Sequence, residues 1–477
     1  MKMFINGERR EASDGRTIDV LNSATLEFID TVPAATEKDV NEAIAAAKEG
    51  ARYWGSLPVY ERSAILNKAA DLIDSRREEL AGSLSIEMGK IISEARPEVR
   101  VAAQIIRGFA EKANHLYGQT MTDYQVGTEH DIIFTRHEPL GVVACISPFN
   151  YPVELCSQKY AAALAAGNAV IIKPSTDNPL TVMKVAEILW EAGVPGNVLQ
   201  LVTGAGSDIG DILSESPDIA AITFTGSTAV GKHIAEKAAG TLKRVFLELG
   251  GNDPYIVFED ADFELAVTGA VRGRVQNAGQ TCCSPKRFLV QNSIKDAFIK
   301  RAVEQIGALV MGSPLDDKTE LGSLISAKAA KTVDEQVKLT ISQGAKLICG
   351  GTFISETYYA PTILEVTPSM DIAKDMECFG PVIPIIGFDT EEEAIAIANQ
   401  TMYGLQAGVI TKDINKAIRV AAKLECGGVV INQSGNYRHL DQPFGGRKMS
   451  GIGREGVSVT LDEMTQVKSY ILRNILE

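Results

Sequence analysis

No two cysteines in this sequence are spaced CxxC, and the seven present (Cys145, Cys156, Cys282, Cys283, Cys349, Cys378 and Cys426) have no histidine near them in sequence, so neither a zinc site nor a disulfide framework is indicated. Metal ligands are therefore not expected. Basic runs are missing too, and with a net charge of -14 the chain lacks the footprint that a phosphate backbone requires, which argues against a nucleic-acid partner. The longest apolar run, around Tyr160 to Ile172, is too short to span a bilayer, and the opening MKMFINGERR has no secretory-type apolar stretch. The expectation is a soluble, cytoplasmic protein that does not engage membranes. A G-x-G-x-x-G fingerprint is absent, as are internal repeats and low-complexity tracts.

What is there is the composition of a globular protein, 45% hydrophobic and 23% charged, in 477 residues, which at about 150 residues per domain predicts two or three domains. From Gly141 to Gly251 short apolar runs alternate with amphipathic segments. Strands are predicted at Val142 to Ile146, Ala169 to Ile172, Val198 to Val202, Ala221 to Phe224 and Val245 to Leu247, with helices starting near Val153, Pro179, Asp208 and Thr228. This is the pattern of a doubly wound α/β unit, whose ligands bind beyond the carboxyl ends of the strands. The small and polar stretches SPFNYP, KPST, TGAGS, TGST and ELGG each follow one strand in turn. A second alternation runs from Pro254 to Asn432, with strands near Tyr255 to Phe258, Arg287 to Gln291, Val382 to Ile386, Leu405 to Ile410 and Val429 to Ile431. Amphipathic helices such as Glu61 to Ser75 occupy the first 115 residues. Strand-like composition in Gln119 to Arg136 and after Thr465 suggests that these two segments pair, with each other or with another subunit.

Two local clusters carry chemistry. In NAGQTCCSPKR (277–287), Cys282 lies between a helix end and a strand, where a thiol can be drawn toward its thiolate; taken alone, such a pair is more often structural than catalytic, and it is the pairing with ELGGNDP that changes the reading. In ELGGNDP, Glu248 ends a strand between Leu247 and Leu249, so desolvation favours a raised pKa suited to a general base; capping of the following turn is the competing reading.

Together PFNYP, KPST, FTGST, LELGG, GQTCC, ECFGPV and PFGGRKMSGIGREG, in this order along nearly the whole chain, resemble the aldehyde dehydrogenase superfamily. The resemblance implies two doubly wound parallel-sheet domains, a Rossmann-like cofactor domain (1–118 and 139–250) and a catalytic domain (251–432) with a substrate loop at 433–464. It also implies a small β element for oligomerisation (119–138 and 465–477) and a homodimer or homotetramer. Cys282 is then the nucleophile, Asn150 and the Cys282 N–H stabilise the oxyanion, and Glu248 activates the water that hydrolyses the thioester. CoA-acylating relatives typically lack this glutamate.

The same resemblance places the cofactor on Ile146, Ser147, Pro148, Phe149, Lys173, Ser175, Thr176, Gly206, Phe224, Thr225, Gly226, Ser227, Val230 and Leu249, with Glu377 and Phe379 at the nicotinamide ribose and ring. Members that prefer NAD commonly carry a glutamate where Thr176 stands; its absence, a hydroxyl donor and Lys173 nearby favour NADP, with NAD as the second choice. Arg438, Tyr151, Thr281, Cys283 and Arg107 are expected around a small anionic or hydroxylated aldehyde. The spacing of Arg438 and Asp441 resembles members acting on lactaldehyde or phosphonoacetaldehyde, whereas Thr176 resembles succinic semialdehyde and non-phosphorylating glyceraldehyde-3-phosphate enzymes. Thr281 weakens the last, whose members often have arginine there. A CoA-acylating semialdehyde dehydrogenase and a non-catalytic structural relative are the rival readings, and retention of Cys282, Glu248 and Asn150 together speaks against the structural one.

Overall fold

The computed structural model describes residues 1–475; the last two positions of the expected oligomerisation element lie outside them. Five parallel strands form the centre of the first sheet, in the order Arg244–Glu248, Ala221–Thr225, Val142–Ile146, Ala169–Lys173, Leu199–Leu201. All five expected strands are met to within a residue at each end, the third being one residue shorter at both ends. Val142–Ile146, Ala169–Lys173 and Ala221–Thr225 are buried at every position, because helices cover both faces, and this is why they read as unbroken apolar runs rather than alternations. The helices begin at Pro152, Leu180, Gly206 and Thr228. Strand order reverses at Val142–Ile146, so the crevice between it and Ala221–Thr225 is the switch point where such sheets take ligands.

Beyond this parallel centre the sheet gains antiparallel edges. Met3–Ile5 and Glu8–Arg10 join beside Leu199–Leu201, and Gly451–Ile452 joins beside the strand that ends in Glu248, pairing Glu248 with Gly451. A separate hairpin, Thr17–Leu21 with Phe28–Pro33, stands outside the sheet. The second sheet has seven strands, ordered Lys346–Cys349, Thr362–Glu365, Val382–Phe388, Pro285–Gln291, Asp253–Val257, Gln406–Ile410, Gly428–Ile431. All its pairings are parallel except that of Lys346–Cys349 with Thr362–Glu365. Each sheet has its own apolar core, the first extending to Leu249 and drawing in Val457, Leu461 and Met464, the second running from Tyr255 to Cys426. Ile132–Pro139 and Thr465–Leu472 pair with each other in an antiparallel ribbon; residues 119–131 are otherwise irregular.

Immediately before Cys282 the backbone makes an unusual turn: Asn277, Ala278 and Gly279 are all left-handed, with φ of 51°, 53° and 79°. At the third position only glycine fits, since a Cβ on Gly279 would lie 2.1 Å from the carbonyl oxygen of Gly380. Gly279→Ala is expected to destabilise the fold by at least about 2 kcal/mol. A thermal unfolding midpoint equal to that of the unaltered protein would show that the 279–380 crossing is not close.

Candidate active site

A cavity of about 860 Å³ opens at the switch point and runs to the loop that carries Cys282. Its walls bring together Ile146, Ser147, Pro148 and Phe149 from the end of the first strand, Lys173, Ser175 and Thr176 from the second, Phe224, Thr225, Gly226, Ser227 and Val230 from the fourth and its helix, and Leu249 after the fifth. Gly206, Glu377 and Phe379 complete the expected set, and Asn150 and Cys282 line it too. Asp211, Ser214 and His233, which sequence reasoning did not single out, line it from two helices.

The helices Gly206–Glu215 and Thr228–Ala238 both begin on this cavity, so two sets of N-terminal amides face it; Ser227 caps the second, its hydroxyl accepting from Val230 N at 3.4 Å. That donor set and a largely apolar slot of this volume between strand ends fit a nicotinamide cofactor. At the far wall Glu377 accepts from Gly251 N at 2.8 Å and faces the Lys286 ammonium at 3.3 Å. Lys173 is buried; desolvation lowers its pKa to about 8 against the pull of Asp177, and its ammonium donates to the carbonyl of Pro174 at 3.2 Å. The Thr176 hydroxyl, expected as a free donor, instead donates to the carbonyl of Gly204 at 3.2 Å.

The Cys282 loop is fixed from below. Lys286 donates to the carbonyls of Thr281, at 3.0 Å, and Cys282. Arg274 donates to the Ser284 hydroxyl at 2.7 Å and to the carbonyl of Val382 at 2.8 Å, and also holds the carbonyl of Cys378, so the loops bearing Cys282 and Glu377 hang from one guanidinium. Asn150 is buried and donates its side-chain amide to the carbonyl of Gln280 at 3.0 Å, reaching across from the first sheet.

Both candidate reacting groups resist ionisation. A hydrogen bond with Cys283 and then burial push the Cys282 thiol up, while Lys286 and Arg438 favour its thiolate. Burial, and then the charge of Glu455, raise the Glu248 carboxyl well above its ordinary range, and a Cys282 thiolate raises it further. The charge of a Cys282 thiolate therefore disfavours that of Glu248. One Glu248 oxygen is buried without a hydrogen-bond partner. Such a carboxyl is poised to take a proton rather than to bind a cation.

Of the expected substrate contacts, four surround this centre. Arg438 lies 4.0 Å over the Phe444 ring and donates to Glu455 at 2.7 Å. Tyr151 meets Thr281, oxygen to oxygen, at 3.5 Å, and Lys90 covers its ring at 3.5 Å from the centroid. Cys283 is buried and packs with Leu405 and Phe444 behind Cys282. Arg107 does not join them: on a helix face of the N-terminal region it pairs with Asp71 at 2.8 Å and Asp74 at 2.7 Å. The expectation for Arg107 is corrected accordingly, because two local carboxylates satisfy its charge.

Sequence reasoning missed the buried charges behind the site. Glu455 accepts from Lys159 at 2.8 Å as well as from Arg438; burial alone would raise its carboxyl, but these two cations hold it at about 2. Lys159 also donates to the Thr225 hydroxyl at 2.7 Å. A lysine in the midst of YPVELCSQKYAAALAA was a signal open to reading, since an ammonium on so largely apolar a helix must have a buried partner. Among the described residues no group of three or more His, Cys, Asp or Glu is arranged to hold a metal, and no helix is long and apolar enough to cross a membrane.

With this geometry in hand, comparison with known proteins is direct: residues 10–470 match the Aldehyde dehydrogenase family, and the chain belongs to it. It is 38% identical over 477 residues to a lactaldehyde dehydrogenase of Methanococcus maripaludis, covering 99% of this chain and 100% of that one. It is 40% identical to a 3-sulfolactaldehyde dehydrogenase of Priestia aryabhattai, covering 98% and 97%. Among solved structures, betaine aldehyde dehydrogenase from Staphylococcus aureus in complex with NAD+ superposes with a TM-score of 0.96 at 36% identity, over 99% of this chain and 95% of that one.

The charge balance at Cys282 gives a direct test. Lys286 favours the thiolate, so Lys286→Met raises the thiol pKa, and the pH at which iodoacetamide alkylation is half-maximal moves upward by about one unit. A shift to lower pH would contradict the assigned role of the Lys286 charge.

Proposed function

We propose that this chain is a hydrolytic aldehyde dehydrogenase that prefers NADP and oxidises a small hydroxylated or anionic aldehyde, with Cys282 as nucleophile, Glu248 as base and Asn150 as oxyanion donor. The observation that carries this reading is that Asn150 and Cys282 line one cavity of about 860 Å³, with Glu248 close enough to Cys282 for their charges to interact.

In this reading the Cys282 thiol gives up its proton to Glu248 or to water as sulfur bonds to the aldehyde carbon. Asn150 keeps one amide hydrogen on Gln280 and turns the other, with the Cys282 N–H, toward the developing oxyanion. The nicotinamide, when bound, supplies the acceptor for the hydride that leaves this carbon. Collapse of the oxyanion leaves a thioester on Cys282. Glu248, any proton taken from Cys282 having passed to solvent, then takes a proton from water; the hydroxide adds to the thioester carbon, the C–S bond breaks with the electron pair left on the Cys282 sulfur, and the acid departs. Raised basicity suits Glu248 to this step, since a base acts best with a pKa near the working pH. A CoA-acylating enzyme needs no such base, and a structural protein needs none of the three.

The preference for NADP rests on Thr176 in place of a carboxylate and on Lys173, whose pKa of about 8 lets a 2'-phosphate stabilise its charged form. Arg438 supports the substrate class: Glu455 takes one of its amino groups, and the remainder of the guanidinium can meet a hydroxyl, carboxylate or sulfonate. Lactaldehyde and succinic semialdehyde are the two types favoured, and the lactaldehyde and 3-sulfolactaldehyde dehydrogenases among the relatives support the first. Residues 1–118 and 139–250 serve as the cofactor domain, and 251–432 with the loop 433–464 as the catalytic domain. The ribbon of 132–139 with 465–472 serves oligomerisation, supported by Val467 and Ile471 at 60% and 63% exposure.

Stopped-flow absorbance at the reduced nicotinamide tests the chemistry. Cys282→Ala is expected to show no turnover, and Glu248→Gln one equivalent of reduced cofactor per site followed by a stall; full activity of Cys282→Ala would end the proposal. Steady-state kinetics with lactaldehyde and succinic semialdehyde test the cofactor. A larger kcat/KM with NAD than with NADP would overturn the inference from Thr176.

A further inference from the structure

We infer that Asn277 is a positioning residue that holds Asn150 and the Cys282 loop in register, an inference that rests on the oxyanion role proposed for Asn150. Its side-chain amide donates to two carbonyls at once: that of Asn150 at 2.9 Å, on the loop after the first strand, and that of Gln280 at 3.2 Å, two residues before Cys282. Asn150 itself donates to the same Gln280 carbonyl at 3.0 Å. The three residues form a closed triangle between the two sheets, with the oxyanion donor at one corner and the lead into the nucleophile at another.

Both ends of the triangle are pinned from outside. The Asn277 N–H donates to Glu94 at 2.8 Å, and the Gln280 side chain donates to the Asn277 carbonyl at 3.1 Å while accepting from Ile325 N at 2.9 Å. On the other side the Asn150 carbonyl accepts from Lys90 at 2.8 Å, and Lys90 is itself paired with buried Glu98. Burial pushes the Glu94 carboxyl up to about 7.

The residue type matches the task. Asn277 opens the left-handed run 277–279, a conformation that asparagine tolerates better than other residues with a side chain. Two carbonyl acceptors fix which way its amide points, since the opposite orientation would set oxygen against oxygen. Its own side-chain oxygen is buried and unpartnered. A residue chosen only to make the turn would be served by glycine; the side chain is kept in spite of an unsatisfied acceptor, and what it does is hold Asn150.

Asn277→Gly separates the two roles, because it keeps the backbone conformation and removes the amide. The expected result is a fall in kcat of about 10- to 100-fold, of the size that a small misplacement of a reacting group produces. KM for aldehyde and cofactor should stay within about twofold, and the Cys282 alkylation rate and thermal midpoint should be unmoved. Combined with Asn150→Ala, the variant should be no slower than Asn150→Ala alone, because both changes remove one donor. The inference is overturned by an unchanged kcat, by additive losses in the double variant, or by a loss of kcat matched by lost alkylation and a lowered midpoint. Wild-type turnover in Asn150→Ala would instead strike the oxyanion reading, and the inference with it. If Asn277→Gly does not fold, Asn277→Ser carries the same test, its hydroxyl being too short to span both carbonyls.

Discussion

A carboxylate buried among apolar helices must bring its counter-charges with it, and Glu455 brings two. Lys159 reaches it from the helix Pro152–Ala166 and Arg438 from the loop that closes over Cys282. Removing either would strand a charge in a low-dielectric interior, so the triad holds its three segments in fixed relation. Much else is set by it. Its negative charge is the first of the charges that raise Glu248, and its backbone bonds to Phe444 in both directions, at 2.7 and 2.6 Å, closing the loop 444–455 on itself. From that loop Gly451–Ile452 supplies the edge strand beside Glu248.

The two halves of the centre are built on different principles. On the cofactor side, strand ends and helix N-termini offer backbone donors beside the charged side chains of Lys173, Asp211 and Glu377. On the reacting side, buried ionisable groups crowd together: Glu154 is raised to about 7 by burial although Arg438 opposes this, and Arg438 is raised because Glu455 and Glu154 outweigh its desolvation.

The parallel strands were legible in the sequence because both faces are covered, and the run from Val142 to Ile146 can be nothing else. The edges were not. Met3–Ile5, Glu8–Arg10 and Lys346–Cys349 are only three or four residues long, too short to show a pattern of their own. Site residues followed the same division. Cys282, Glu248, Asn150 and the cofactor wall stand in compact motifs, whereas Lys159, Glu455 and Asn277 have meaning only through residues a hundred or more positions away. Arg107 shows the converse error: a cation on an amphipathic helix invites a role that Asp71 and Asp74 already fill.

The strand that ends in Glu248 receives its outer neighbour from residues 451–452, and Lys159 waits for a partner 296 residues downstream. On the ribosome, the first sheet emerges with that flank bare and an ammonium uncompensated while some two hundred further residues are made. Unpaired edges and exposed apolar faces are what chaperones bind and aggregates grow from. The geometry that isolates the reacting centre so well in the finished molecule thus gives the nascent one a long interval of vulnerability.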